Sequence, residues 1–296
     1  SPAGSCNHRC IYCALDFMDY KPRFLDKNIL KQRLFEMGRL GVRSIMYAGE
    51  GEPFLHKDMA GIINYTKKAG IDAAVTTNGV LFDENLAENT LPNLTWIKVS
   101  INAAKKATYA KIHKTNPLDL DRVIKNMAYA AKIKRNKNYS CALGMQMVLL
   151  PQNHQEVILL ARKAKGIGMD YLVVKPYSQH PLSKTQKFKN IKYRDYFILA
   201  EKLNKFNDSK FNVIFRIHAM KKWDEASRNY KHCSALPFWA YIDAGGDIWA
   251  CSIYLSVNKF RLGNIYRNRF EDIWAGSKRL KLLHWAEKKL DTNICR

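Results

Sequence analysis

The sequence has no apolar run approaching the ~18 residues that a membrane-spanning helix needs, and nothing in its first residues reads as a secretory signal. It begins at Ser1 rather than Met, so the second absence carries less weight than the first. Glycine and proline are sparse, 15 and 9 among 296 residues, which excludes collagen-like and low-complexity chains. A hydrophobic fraction of 47% with 25% charged residues excludes a disordered chain. Acidic residues are the minority charge, 26 against 49 Lys and Arg, for a net charge of +23. That excess is mostly lysine and is spread along the whole chain. It reads first as a solvated surface, and it also fits a phosphate- or carboxylate-bearing substrate. Nucleic acid is the weaker reading. The length suits one large domain, or a medium domain with a smaller one attached.

Seven cysteines, an odd number with three of them inside eight positions, make a poor disulfide framework. They fit metal ligation in a reducing compartment, and hence a soluble, cytoplasmic protein. Cys6, Cys10 and Cys13 form one group, Cys233, Cys251 and Cys295 a second, and Cys141 stands alone. Three thiolates on one short loop can hold three corners of a cubic iron–sulfur cluster and leave the fourth iron open. Zinc, with His8 or a distant residue as fourth ligand, is the alternative that spacing leaves.

Hydrophobic periodicity predicts helices over 26–40, 57–69, 83–90, 154–165 and 193–206, with helical stretches continuing from the third strand to about 134. Between them lie short apolar strands at 43–48, 72–75, 96–99, 141–150 and 171–174. This alternation argues for parallel βαβ units. Each strand runs out into polar, glycine or proline residues: Gly49 to Pro53, Thr76-Thr77-Asn78, Ser100 to Asn102, Pro151-Gln152-Asn153 and Lys175-Pro176-Tyr177. In a β/α barrel these C-terminal strand ends form the active face. A cysteine loop in such a barrel should follow a first strand, and only five residues precede Cys6, so that strand is expected upstream of Ser1.

The C-x3-C-x2-C spacing with Tyr12 just before the third cysteine resembles the radical S-adenosylmethionine (SAM) enzymes. The resemblance implies an α/β fold, a partial (β/α)6 barrel over about 1–210, and a 4Fe–4S cluster whose open iron is chelated by SAM. It implies that Gly51 and Glu52 act on SAM's amino group, with Glu50 standing where the family has its first glycine. Ser100 and Asn102 fall at positions that contact SAM's ribose and carboxylate, and Val148 and Lys175 at positions that pack its adenine. Residues 211–296 resemble the SPASM or twitch extension, a small α+β module with a hairpin around Ala244-Gly245-Gly246 and a strand expected at 211–217. There Cys233, Cys251 and Cys295 would hold an auxiliary 4Fe–4S cluster, whose fourth iron is met by a cysteine beyond Arg296, left open, or held by a non-cysteine ligand. The shorter twitch form suits the cysteine count better.

Compact size points to a small polar substrate, a sugar or aminocyclitol-type alcohol to be oxidised, epimerised or dehydrated. A peptide- or protein-modifying maturase is the second reading, and a basic zinc-containing RNA-binding protein the third. A one-electron donor such as flavodoxin or ferredoxin is implied, and no membrane partner. Tyr177 and His180 are the candidates for catalytic contact, His180 as a base. Gln152 and Gln179 are further candidates for substrate contact, and Arg216 and His218, in the linker to the second module, are candidates for meeting an anionic group. Tyr47 and Cys141 read as core.

Overall fold

The computed structural model describes residues 1–225, 228 and 230–295. A loop carrying the first three cysteines leads into α1 (Lys27–Arg39), whose N-cap Asp26 accepts from the amides of Asn28 and Ile29. The alternation then follows the expected order: β1 (Ser44–Tyr47), α2 (Met59–Lys68), β2 (Asp72–Thr77), α3 (Glu84–Thr90) and β3 (Trp96–Ser100). Two helices, α4 (Lys106–His113) and α5 (Asp119–Lys137), precede β4 (Ala142–Val148). Next come α6 (Val157–Ile167), β5 (Tyr171–Lys175), α7 (Ile198–Asn204), β6 (Asn212–Phe215) and α8 (Ile217–Asp224).

Strands β1 to β6 pair in sequence order and all in parallel, giving an open six-stranded sheet curved into a partial barrel. The outer face is apolar throughout: Val75, Ile97, Val99, Leu143, Met145, Leu172 and Val174 are fully buried beneath the helices. The inner face carries Thr76, Lys98, Ser100, Gln146, Lys175 and Arg216, as a period of two along each strand requires. On the edge strands Met46 and Ile214 remain 56% and 48% exposed, so the inner face surrounds an open lumen rather than a filled core.

The strand expected to open the second module instead completes the barrel: Asn212–Phe215 pairs with Tyr171–Val174. It is only four residues long, follows a lysine-rich connector and runs through Arg216 straight into α8, so it lacks the glycine, proline or asparagine turn that marked the other five strand ends. The second module proper contains β7 (Tyr241–Ile242), β8 (Asp247–Trp249) and β9 (Arg261–Asn264), an antiparallel sheet, then α9 (Phe270–Trp274) and α10 (Ser277–Lys289). The expected hairpin turn is present, with Gly246 at φ 83°. Glu36 of α1 accepts from the Glu271 amide at 2.9 Å, and Arg33 donates to the Ile265 carbonyl at 3.0 Å, which fasten the module to the barrel's first helix. No helix among the described residues is long and apolar enough to cross a membrane.

Candidate functional site

Cys6, Cys10 and Cys13 share one loop, which hydrogen bonds from Glu52, Asn78 and Asn102 tie to the segments after β1, β2 and β3. They are close enough that the negative charges of Cys13 and Cys6 add to burial in raising Cys10 far above the usual thiol range. Burial also pushes Cys6 up to about 11. Gathering three thiols in a desolvated loop disfavours their charged forms, and only a compensating cation makes three thiolates there stable. An all-sulfur donor set with one ligand missing fits an iron–sulfur cluster with an open iron.

The loop is seated on groups that spacing did not reveal. His113, at the end of α4, is fully buried, and its Nδ1 lies 3.4 Å from Cys10 Sγ. Its Nε2 lies 3.0 Å from the Ile101 carbonyl, which fixes the proton on that nitrogen. Burial lowers this imidazole to about 3, so it stays neutral. His8 packs edge-on against His113 and Tyr109, with Nε2 3.5 Å from Asp119. His8, Cys10 and His113 place three donor atoms within 4.8 Å of one another, among the described residues. That trio uses one cysteine of three, so a zinc ion there leaves the C-x3-C-x2-C spacing without a purpose.

Asn102 is the hub of the site. It is completely buried at φ 51°, a region that asparagine tolerates better than most residues. Its Nδ2 donates to the Tyr12 hydroxyl at 2.5 Å, and its Oδ1 accepts from the Val148 amide at 2.7 Å. The Asn102 carbonyl accepts from Asn153 Nδ2 at 2.9 Å. Cysteine loop, β3 end and β4 end are thus held by one side chain. Replacing Asn102 with alanine should destabilise the fold by about 2–4 kcal/mol, through unpaired buried groups and strain at positive φ. Thermal unfolding should drop by roughly 5–10 °C, with lower iron retention after reconstitution. A variant that lost only SAM affinity, with unchanged melting, would contradict this role.

Glu52 is 2% exposed and ties β1's end to β2's. Its carboxylate accepts from Thr77 Oγ1 at 2.6 Å, the Asn78 amide at 2.7 Å and the Phe54 amide at 3.1 Å. Its own amide donates to the Ser5 carbonyl at 2.8 Å, so the motif grips the cysteine loop through backbone. Gly51 lies so close to that loop that a Cβ would sit 1.9 Å from Ser5 O. Glu50 turns the other way: it pairs with Arg23 at 2.8 Å and accepts from the Ala244 amide at 3.0 Å. The residue that departs from the family pattern joins this loop to the second module's hairpin.

Ser100, Val148 and Lys175 lie along the inner rim, Val148 directly opposite Lys175 in register. His180 and Tyr177 are placed differently from their expected roles. The His180 imidazole is fully buried and stacked on Phe17 at 4.5 Å. Its Nδ1 accepts from the Leu182 amide at 3.0 Å and its Nε2 donates to the Ser252 carbonyl at 3.1 Å. With both nitrogens engaged, His180 pins its loop to the segment after Cys251, and no nitrogen is left to take a substrate proton. The Tyr177 ring is wedged between Phe188 and Trp223 at 5.6 and 5.7 Å.

Cys233, Cys251 and Cys295 converge from three separate segments around Tyr254, whose hydroxyl is raised by burial and by the charges of all three. Tyr230 lies in hydrogen-bonding contact with Cys295. Again the donors are soft sulfurs, fit for an iron–sulfur cluster. Cys141 is fully buried in the core, as expected.

Residues 1–164, more than half of the chain, match the family model described as the Radical SAM superfamily. Residues 233–296 match SPASM, described as an iron–sulfur cluster-binding domain. Among curated proteins, the GTP 3′,8-cyclase of Chlorobaculum tepidum is 23% identical over 193 residues, 62% of this chain and 55% of its own length. The chain spans about half the length of the curated relatives it matches. Among solved structures, Streptococcus suis SuiB bound to precursor peptide SuiA is similar with a TM-score of 0.70 at 18% identity, over 93% of this chain and 63% of that one. AnSMEcpe with bound AdoMet gives 0.69 at 17% identity, over 99% of this chain and 86% of that one.

Proposed function

The chain belongs to the radical SAM superfamily, and on that premise we propose that it modifies a peptide or protein substrate by hydrogen abstraction. When bound, the loop cluster and SAM supply one electron and the 5′-deoxyadenosyl radical it releases from SAM. The chain's own part is to seat and shield them. Cys6, Cys10 and Cys13 would hold the first cluster and Cys233, Cys251 and Cys295 the auxiliary one. Asn102 and His113 pack beneath the first loop, and Tyr12 within the loop ties it to Asn102, an arrangement that would keep water from the cluster. Gly51 and Glu52 set the loop's height above the lumen, where Ser100, Val148 and Lys175 form the rim facing SAM.

The observation that favours a peptide is architectural. The neighbours that share both barrel and second module over nearly this whole chain include SuiB with its precursor peptide and anSMEcpe with a bound peptide. The sugar or aminocyclitol reading rested on compact size, and these neighbours favour the peptide over it. The cyclase relatives support a purine nucleotide as the second reading, over a match of about half their length.

The test is anaerobic purification, cluster reconstitution, and quantification of 5′-deoxyadenosine with SAM and a strong reductant. Host peptide fraction should stimulate its formation at least about tenfold over the uncoupled background, a lowering of the effective barrier by about 1.4 kcal/mol. Stimulation confined to the small-molecule fraction would remove the peptide reading.

A further inference from the structure

The lumen of the barrel carries charge of one sign. Lys98 lies mid-strand on β3, with Ile97 and Val99 on either side fully buried in the outer core, so Lys98 faces inward. Its ammonium sits 5.2 Å from the Trp96 ring centroid. Arg216 follows β6, where its backbone N–H donates a hydrogen bond to the Val174 carbonyl at 2.9 Å. Lys98 is half-buried and Arg216 is exposed toward the lumen; burial and the nearby Arg216 charge both lower the Lys98 pKa. Among the described residues neither has an ion-pair partner. Of the other inner-face residues named above, Thr76, Ser100 and Gln146 are neutral and Lys175, beside Arg216 on the neighbouring strand, is a further cation.

A cavity of about 570 Å³ continues from Arg216 toward Cys295 of the second module. Lys175, His218, Lys222 and Arg228 line it, and Glu225 is the single carboxylate among its described lining residues. Cations that face one lumen without a carboxylate among them repel one another, and an anion entering between them relieves that repulsion. A small number of placed charges in a concave site is also how orientation of a ligand is fixed.

We propose that Lys98 and Arg216 receive an anionic group of the substrate. On the peptide reading above, on which this rests, that group is an acidic side chain or the C-terminal carboxylate. The anion anchors the substrate in the lumen below the cysteine loop, and the basic cavity guides the remaining chain toward the auxiliary cysteines. A neutral sugar would leave both cations uncompensated.

The experiment divides host extract into peptide and small-molecule fractions, and each of these by anion exchange into retained and unretained pools. Reconstituted holoenzyme with SAM and reductant is then assayed for pool-dependent 5′-deoxyadenosine. Stimulation by the retained peptide pool is expected. Stimulation by an unretained pool that survives methyl esterification of its carboxyl groups overturns the proposal. Stimulation by the retained small-molecule pool alone, a nucleotide for example, keeps the anion site and removes the peptide reading, so the two failures are distinct. With the active pool, the Lys98→Gln/Arg216→Gln double variant should need at least about ten times more material for half-saturation. Lys98→Arg/Arg216→Lys should stay within about threefold of wild type, which separates charge from folding. Lys278→Gln on α10 serves as the remote charge control. A parallel loss of SAM affinity in the double glutamine variant would reassign the cations to SAM's own carboxylate and overturn the proposal.

Discussion

Cys10→Ser is expected to abolish 5′-deoxyadenosine formation, with a fall of at least about 1000-fold, equivalent to about 4 kcal/mol in the effective barrier. Cys10 is the most enclosed of the three loop thiols: burial raises it far above the usual range, and the charges of Cys13 and Cys6 raise it further. A serine hydroxyl in that place is a hard donor that does not ionise at neutral pH, and it offers iron a far weaker bond than thiolate. His113 Nδ1, 3.4 Å from the Cys10 sulfur, would then face the hydroxyl and hold it by a hydrogen bond away from iron. Iron and sulfide should fall to about the content of the auxiliary cluster alone, roughly half of the wild-type figure. The measurement is iron and sulfide analysis beside mass-spectrometric 5′-deoxyadenosine. Retention of a tenth or more of wild-type activity would show that another donor, such as His8, completes the first site.

Most of this architecture was legible because two signals reinforce each other along the chain. Apolar strands of four to seven residues alternate with amphipathic helices, and polar or glycine residues punctuate each strand's C-terminal end. The cysteine spacings stood out for the same reason: the chemistry lies in contiguous or closely spaced residues. What escaped were pairings across long sequence distances. Nothing near Glu50 announces that its carboxylate meets Arg23 and the Ala244 amide, 194 residues away. His113 ends an ordinary surface helix, and only the folded chain brings it under Cys10. His180 shows the converse. A histidine in a Ser-Gln-His-Pro loop beyond a strand end has the sequence profile of a base, yet both of its nitrogens are committed to holding backbone. A side chain's hydrogen-bond partners decide its chemistry, and these are tertiary. Among the inner-face cations, Lys98 was hidden for a related reason. Lys98 lies inside a strand of alternating pattern, where a polar residue reads as solvent-facing; only closure of the sheet turns that face into a lumen.

Gly51→Ala should be the most damaging single-methyl change in the chain, whereas the same change at Gly61 should be harmless or mildly stabilising. At Gly51 the added Cβ would meet Ser5 O at 1.9 Å, Ser5 C at 2.6 Å and Ala3 O at 2.7 Å. All three are backbone atoms, so no side-chain rotation relieves the clash. The contact is also the one that sets the cysteine loop, since the adjacent Glu52 amide donates to the same Ser5 carbonyl at 2.8 Å. Relief requires the loop to lift, breaking that bond and moving Cys6, the next residue. The cost should be about 3 kcal/mol or more, near the upper end for a point substitution. Activity should fall at least about 100-fold, because small misplacement of a radical source relative to its target is paid in rate. At Gly61, within α2, nothing lies within 4 Å of the new methyl, and replacing a helical glycine lowers the entropic cost of folding by about 0.5–1 kcal/mol. Paired thermal melts and iron contents of the two variants check this. Equal melting temperatures, with iron retained in Gly51→Ala, would mean that the loop has slack at Ser5 and is held chiefly through Asn102 and His113.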